Sequence, residues 1–337
     1  MHLIAYNGRR PVVAAPLLAA QPGHAVVGQV TLGRQAWLGA GSVIRADGHY
    51  VQIGERFHLG RGATVHIAHD LYPTIIGDRV RVGADAVVHA CTVSDDVVIE
   101  DRAVVLDGSV VGPGALLEAG SIVYPRSVLA GGMVYAGRPA RKVRPLDREE
   151  LLARAEQQRK RNESADANWV CRPVASQAGA DSFMADTSDL VGEIHLADGA
   201  SIWFGCRVDG RAGTIAVGTL CNVQDNSVLI AGPAGLSLGE ATTIGHNVRL
   251  TDCQVGARCL VGIGSQISAG TIIADDTFVA GGCVTEPGQR LDGGLIWGGQ
   301  PARPIGRMDD SKRASILDIA TVYAGYARGL QGSQEAT

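Results

Sequence analysis

The chain has 337 residues, with 30 lysines and arginines against 34 acidic residues, for a formal net charge of −4. That length allows about two domains with buried cores, and mild acidity without a basic stripe excludes nucleic acid as a partner. No stretch reaches the roughly 18 apolar residues of a membrane span and MHLIAYNGRR is unlike an export signal, so the protein is expected to be cytoplasmic, with no membrane partner.

Taken in chain order, Val27-Gly28, Ile53-Gly54 and Val82-Gly83 lead into aliphatic residues at every sixth place: Val93, Ile99, Val105, Val111, Leu117 and Val123. Val97, Ala103, Ser109, Ala115 and Ser121 follow four places after the first five, mostly small residues. A period of six suits neither an amphipathic helix nor a hairpin sheet. It suits a parallel β-helix, in which each hexad makes one short strand and one corner. The prism closes at Gly137-Arg138-Pro139-Ala140-Arg141, and residues 146–161 then have helical spacing, with Asp147 as N-cap and Glu156 to Arg161 as a solvated face. NESADAN (162–168) reads as the linker between a first domain, 1–161, and a second, 169–330.

The second domain repeats the first. Val191-Gly192 and Val217-Gly218 lie at an offset of 164, Ile244-Gly245 and Val255 at 162, and the hexads continue through Val261, Ile267, Ile273 and Val279. Both copies drop one residue at the same place, so that Val82 to Val93 and Ile244 to Val255 each span eleven positions. A shared irregularity indicates duplication. Gly299-Gln300-Pro301-Ala302-Arg303 ends this prism, a helix is expected over 311–330 with Ser311 as N-cap, and the polar tail 331–337 is expected to fray. Seven cysteines, without C-x-x-C, support neither a disulfide framework nor a thiolate zinc knuckle and read as small buried hydrophobes. Trp37, Trp203 and Trp297 read as wall or cap packing.

The first half carries Arg45-Ala46-Asp47, His66 and, in VVHAC, His89; the second carries Asn222, Gln224, Asp225 and His246. Along hexads that end in G-x-P-A-R and a closing helix, these motifs make both halves resemble γ-class carbonic anhydrases of the hexapeptide-repeat superfamily. The resemblance implies an all-β chain of two tandem left-handed β-helix domains, each followed by a C-terminal α-helix. It also implies zinc held between neighbouring prisms by three histidines, the first and third from one prism and the middle one from the next. The first half keeps the first and third, His66 and His89, but has Ala84 at the middle position and His58, Gly60 and Arg61 in place of Asn, Gln and Asp. The second keeps only the middle one, His246, with Ile230 and Thr251 at the other two, and reverses Arg-Gly-Asp to Asp209-Gly210-Arg211.

Counting in sixes puts Arg45, Asp47, His66 and His89 on one prism face, and Gln224, Asp225 and His246 on the preceding face of the other prism. One composite site between unlike domains then holds every family residue once, and the reciprocal contact holds none. By the same resemblance Arg45 would face Asp225 across that interface and Asp209 would face Arg61, whereas contact between like domains sets like charges together.

Three imidazoles around zinc leave a position for water and lower its pKa towards about 7, which suits addition of water to carbon dioxide or another small carbonyl-type substrate. Cobalt and ferrous iron also accept imidazole. Gln224 is expected to hold substrate or orient the attacking oxygen. His69, three residues past the first ligand where some family members place an acidic proton shuttle, is the other catalytic candidate. The remaining histidines, at 2, 24, 49, 58 and 195, receive no role. The rival readings are a hexapeptide-repeat acyltransferase and a non-catalytic scaffold. Self-association into a homo-oligomer is expected, although strict alternation of unlike halves cannot close a three-membered ring.

Overall fold

The computed structural model describes residues 1–334 and divides into two compact units, Met1–Trp169 and Val170–Thr337. Within the described residues the first unit contains a 12-stranded and an 8-stranded sheet and the second a 10-stranded and an 8-stranded sheet. Among the described strand pairs, all but the final one of each unit are parallel; Met133–Gly137 with Ala140–Pro145, and Leu295–Gly298 with Arg303–Arg307, turn back antiparallel. Pairings such as Val93↔Val111, Ile99↔Leu117 and Val105↔Val123 step by eighteen residues, which is three hexads to one coil. The shared eleven-residue irregularity appears as the shortened steps Val82↔Ile99 and Ile244↔Val261.

The hexad dictates this because an inward aliphatic residue can stack on its equivalent one coil away while the backbone satisfies itself along the ladder. Val26, Ile44, Val65, Val88, Val105 and Val123 line one axis, all at most 1% exposed, and the equivalents in the second unit are Val208, Leu229, Leu250 and Ile267. Small corner residues keep the coils close: Val87 donates its amide to Ala103, and Val104 to Ser121, at 2.9 and 2.8 Å.

Each unit closes with a helix. Helix α1 (Arg148–Ser164) starts at Asp147, whose carboxylate accepts the Glu150 amide at 2.8 Å. It lies on the strands His58–Leu59, Arg81–Val82 and Val98–Ile99, covering the cluster of Val98, Leu116, Val134 and Leu146. The run from Glu156 to Arg161 is not wholly solvated: Gln158 is buried and donates to Asp101 at 3.0 Å, since one face of the helix must meet the prism. Helix α2 (Asp310–Gln334) packs on the second unit's Phe183–Met184, Ser201–Ile202, Asn222–Val223 and Thr243–Ile244 strands. Its cap is Asp309, which accepts the Lys312 amide at 2.8 Å, rather than Ser311, which already lies in the first turn. The helix continues to Gln334, into the segment expected to fray; residues 335–337 of that segment lie outside the described residues.

Six cysteines are buried, but Cys171 is exposed because it precedes the first rung of the second prism. Burial raises the thiol pKa of Cys221 and Cys253 to about 12 and of Cys259 and Cys283 to about 11, so these side chains act as apolar filling. Among the described residues no helix is long and apolar enough to cross a membrane.

Candidate metal centre

The long strand Val43–Ile53 of the first unit carries Arg45 and Asp47, and the next two rungs are Thr64–His66 and Val87–His89. Parallel pairing places His89 directly over His66, and Ile44↔Val65 brings Arg45 alongside the same column. Parallel register leaves the side chains no alternative: residues one coil apart at one hexad position point the same way. The imidazoles tilt by 47° with centroids 5.3 Å apart, and His66 Nδ1 faces His89 Nε2 at 3.3 Å.

Carboxylates stand on the outer sides of both rings. Asp47 Oδ1 lies 3.1 Å from His66 Nε2, and Asp107 Oδ1 lies 2.6 Å from His89 Nδ1. Asp47 is itself hydrogen-bonded to the guanidinium of Arg45, and both of these side chains are fully buried. An ionised carboxylate only accepts, so the nitrogen facing it carries the proton and, in a neutral ring, the other nitrogen offers a lone pair. In that tautomer His66 Nδ1 and His89 Nε2, which face each other at 3.3 Å, would carry the lone pairs. A cation between them would then be favoured. The 3.3 Å gap also suits one edge of a zinc tetrahedron, about 3.3 Å for bonds near 2.0–2.1 Å. The donor set therefore fits the metal that the motifs imply.

In the second unit Asn222–Val223 and Thr243–Ile244 are adjacent rungs of the 8-stranded sheet, and the corners after them carry Gln224, Asp225 and His246. Asp225 Oδ2 lies 3.2 Å from His246 Nδ1, its other oxygen accepts the Phe204 amide at 3.2 Å, and both side chains are fully buried. Gln224 donates its amide to Asn222 Oδ1 at 3.1 Å, and Asn222 donates to Thr243 Oγ1 at 2.8 Å. This chain of amides holds the Gln224 head group in one orientation.

The positions that lost the motif are equally regular. Asp209, Ile230 and Thr251 form the second unit's counterpart of the histidine column, and Asp209, Arg211, Ala212, Ile230 and Ala231 line an open depression of about 380 Å³. Within their own units the charges expected at an interface have partners: Asp209 takes Arg211 in a two-pronged pair at 2.9 and 2.6 Å. Arg61 donates to the carbonyls of Asp166 and Asn168 and lies 5.0 Å over the ring of Trp169. That indole packs onto Gly23 and Gly41, where a methyl group would come within 2.1 Å of it.

His69 sits in the 67–73 loop, between Thr64–His66 and Thr74–Ile76, with φ 38°, about half exposed and 3.4 Å from Asp70. This loop is the source of the change in offset: Val51↔Thr74 brackets two more residues than Ile215↔Leu236. His58 is buried, stacks on Trp37 with centroids 5.9 Å apart, and has its pKa pushed down to about 3 by burial and then by the cations Arg81 and Arg159, with Glu156 opposing.

Three-hexad coils, parallel ladders and a closing helix make each unit a hexapeptide-repeat left-handed β-helix. No family model matches the chain. It is 32% identical over 155 residues to gamma carbonic anhydrase 1, mitochondrial, of Arabidopsis thaliana, covering 44% of this chain and 56% of that protein. Against Protein YrdA of Escherichia coli (strain K12) it is 32% identical over 160 residues, covering 45% of this chain and 87% of that protein. Among solved structures, a putative acetyltransferase from Desulfovibrio desulfuricans G20 shares the fold at 12% identity, with a TM-score of 0.54 over 99% of this chain and 84% of that one. The chain therefore spans only a little over half the length of the Arabidopsis relative. The chain is γ-carbonic-anhydrase-like, and matches that cover less than half of it are consistent with two such domains in tandem.

Proposed function

We propose that the chain is a metal-dependent, γ-carbonic-anhydrase-like enzyme with one composite site, in which His66 and His89 of the first domain and His246 of the second hold a single ion. Zinc is the metal that the motifs imply, with cobalt or ferrous iron as substitutes. When bound, the ion supplies activated water for addition to carbon dioxide or another small carbonyl-type substrate, by hydration or hydrolysis. The observation that carries the reading is the opposed nitrogen pair, His66 Nδ1 and His89 Nε2, at tetrahedral-edge separation. Gln224, steadied by Asn222, holds substrate in register with the attacking oxygen. His69, about half exposed on its loop beside Asp70, is assigned the passing of protons to solvent, a role its exposure supports. Arg45, Asp47, Asp225, Arg61 and Asp209 set the fit between unlike domains, in the same chain or in a neighbouring copy, and the protein works as a cytoplasmic homo-oligomer.

Metal analysis of the purified protein beside His66→Ala, His89→Ala and His246→Ala variants tests this. About one ion per chain is expected, lost in all three variants; retention after His246→Ala would remove the second domain from the site. Carbon dioxide hydration assays and an ester panel then identify the substrate. Coenzyme A-dependent acyl transfer by the metal-free protein would replace this reading with the acyltransferase one, which rests on the fold alone, and absence of metal with no turnover would favour a scaffold.

A further inference from the structure

Asp107 has no place in the motifs above, yet its carboxylate makes a contact of 2.6 Å with His89. The backbone that delivers it is pinned on both sides. Gly108 donates to the Ala90 carbonyl at 2.7 Å, and the Asp107 carbonyl accepts the Arg126 amide at 2.8 Å. Gly108 itself takes φ 67°, and a methyl group there would press on Arg126 at 3.2 Å. The second domain keeps this scaffold without the carboxylate. Gly270 stands in the same left-handed conformation and donates to the Asp252 carbonyl at 2.7 Å, but the residue before it is Ala269, at the offset of 162 from Asp107.

That loss is matched to the loss of the imidazole. Where the first domain has His89 and Asp107, the second has Thr251 and Ala269; where it has His66 and Asp47, the second has Ile230 and Arg211. The converse holds for His246 and Asp225, which correspond to Ala84 and Arg61. Each imidazole and the carboxylate on its outer side are present together or absent together. A carboxylate serving only the prism wall would have no reason to follow the histidine.

We propose that Asp107 is a positioning residue of the metal centre: its carboxylate holds His89 as the Nδ1–H tautomer and so presents Nε2 to the ion, as Asp47 does for His66 with the nitrogens exchanged. The assignment deepens the proposed function and rests on it for the ion, whereas the tautomer exists without metal. Carboxylates behind ligand histidines typically change metal affinity by about 10- to 100-fold.

The test uses the full-length protein, with Asp107→Ala, Asp107→Asn and, as a control carboxylate elsewhere on the prism, Asp95→Ala. Zinc and cobalt affinities are measured by competition with a chromophoric chelator. Histidine tautomers are read in the metal-free protein by nitrogen-15 NMR, with His89 identified by its loss in His89→Asn. The expected result is Nδ1–H for His89 in the parent protein, conversion towards Nε2–H in Asp107→Ala, and an affinity lower by about 10- to 100-fold there, less in Asp107→Asn and unchanged in the control. Unaltered affinity in a folded Asp107→Ala protein overturns the assignment, and so does Nε2–H at His89 in the parent protein, which decides the matter even if Asp107→Ala does not fold. A parent protein that binds neither metal overturns the proposed function instead, and the tautomer still judges Asp107.

Discussion

His66 and His89 show how far residue spacing carries a functional argument. Both open the same hexad position, and the parallel ladder then forces them into one column, so their alignment was legible from counting in sixes. Asp107 was not, because its contact with His89 passes from one coil to the next and neither residue announces the other within a local motif; the visible trace was its correspondence to Ala269. Under the proposed function, removal of Gln224 should separate catalysis from metal binding. Its amide is held by Asn222, a side chain of its own domain. Gln224→Ala should leave metal content unchanged and lower kcat/KM by about 100-fold, the scale on which misplaced reactants lose rate, with Asn222→Ala showing a smaller loss. Equal metal content and unaltered steady-state kinetics in Gln224→Ala would remove it from the site.

Among the elements, helix α1 and the strand beneath it contain a buried titration. His58 ionises with a pKa pushed down to about 3 in the folded chain, against an ordinary value of 6.5, chiefly because it is desolvated. A base whose folded pKa is depressed binds fewer protons folded than unfolded. Its neutral form therefore contributes stability that is fully present above about 6.5 and is lost as pH falls towards 3, by an amount on the order of a few kcal/mol. Thermal unfolding followed from pH 8 to pH 4 should show melting temperature falling less steeply in His58→Asn, the residue type at the corresponding Asn222; identical slopes would refute the attribution. The cap of α1 gives a second test: Asp147→Ala leaves the Glu150 amide without its acceptor and should cost about 1 kcal/mol in denaturant unfolding, where no change would place the helix start elsewhere. The helices themselves were visible in the sequence to within a few residues, but the α2 cap was not. Asp309 and Ser311 are both competent cap types, and only the path of the chain leaving the last strand selects between them.

For the molecule as a whole, the two domains keep one fold while dividing between them the residues that match the family's motifs. The hexad period made this architecture readable, because a short repeat with an inward aliphatic residue has few other ways to bury itself. What a periodic pattern does not record is the departures from it: the 67–73 loop and the placement of Trp169 against Gly23 and Gly41. Static light scattering of the intact protein should give a mass above the 35.0 kDa of a single chain; a monomer at micromolar concentration would limit the composite centre to contacts within one polypeptide. Trp169 also bears on any attempt to take the duplication apart. Its indole fills space bordered by upstream glycines, although the sequence had assigned it to the downstream half. A chimera that borrows its first half from a relative should therefore be spliced after position 169, since a seam placed earlier would strip that half of its own stopper and bare two glycines to solvent.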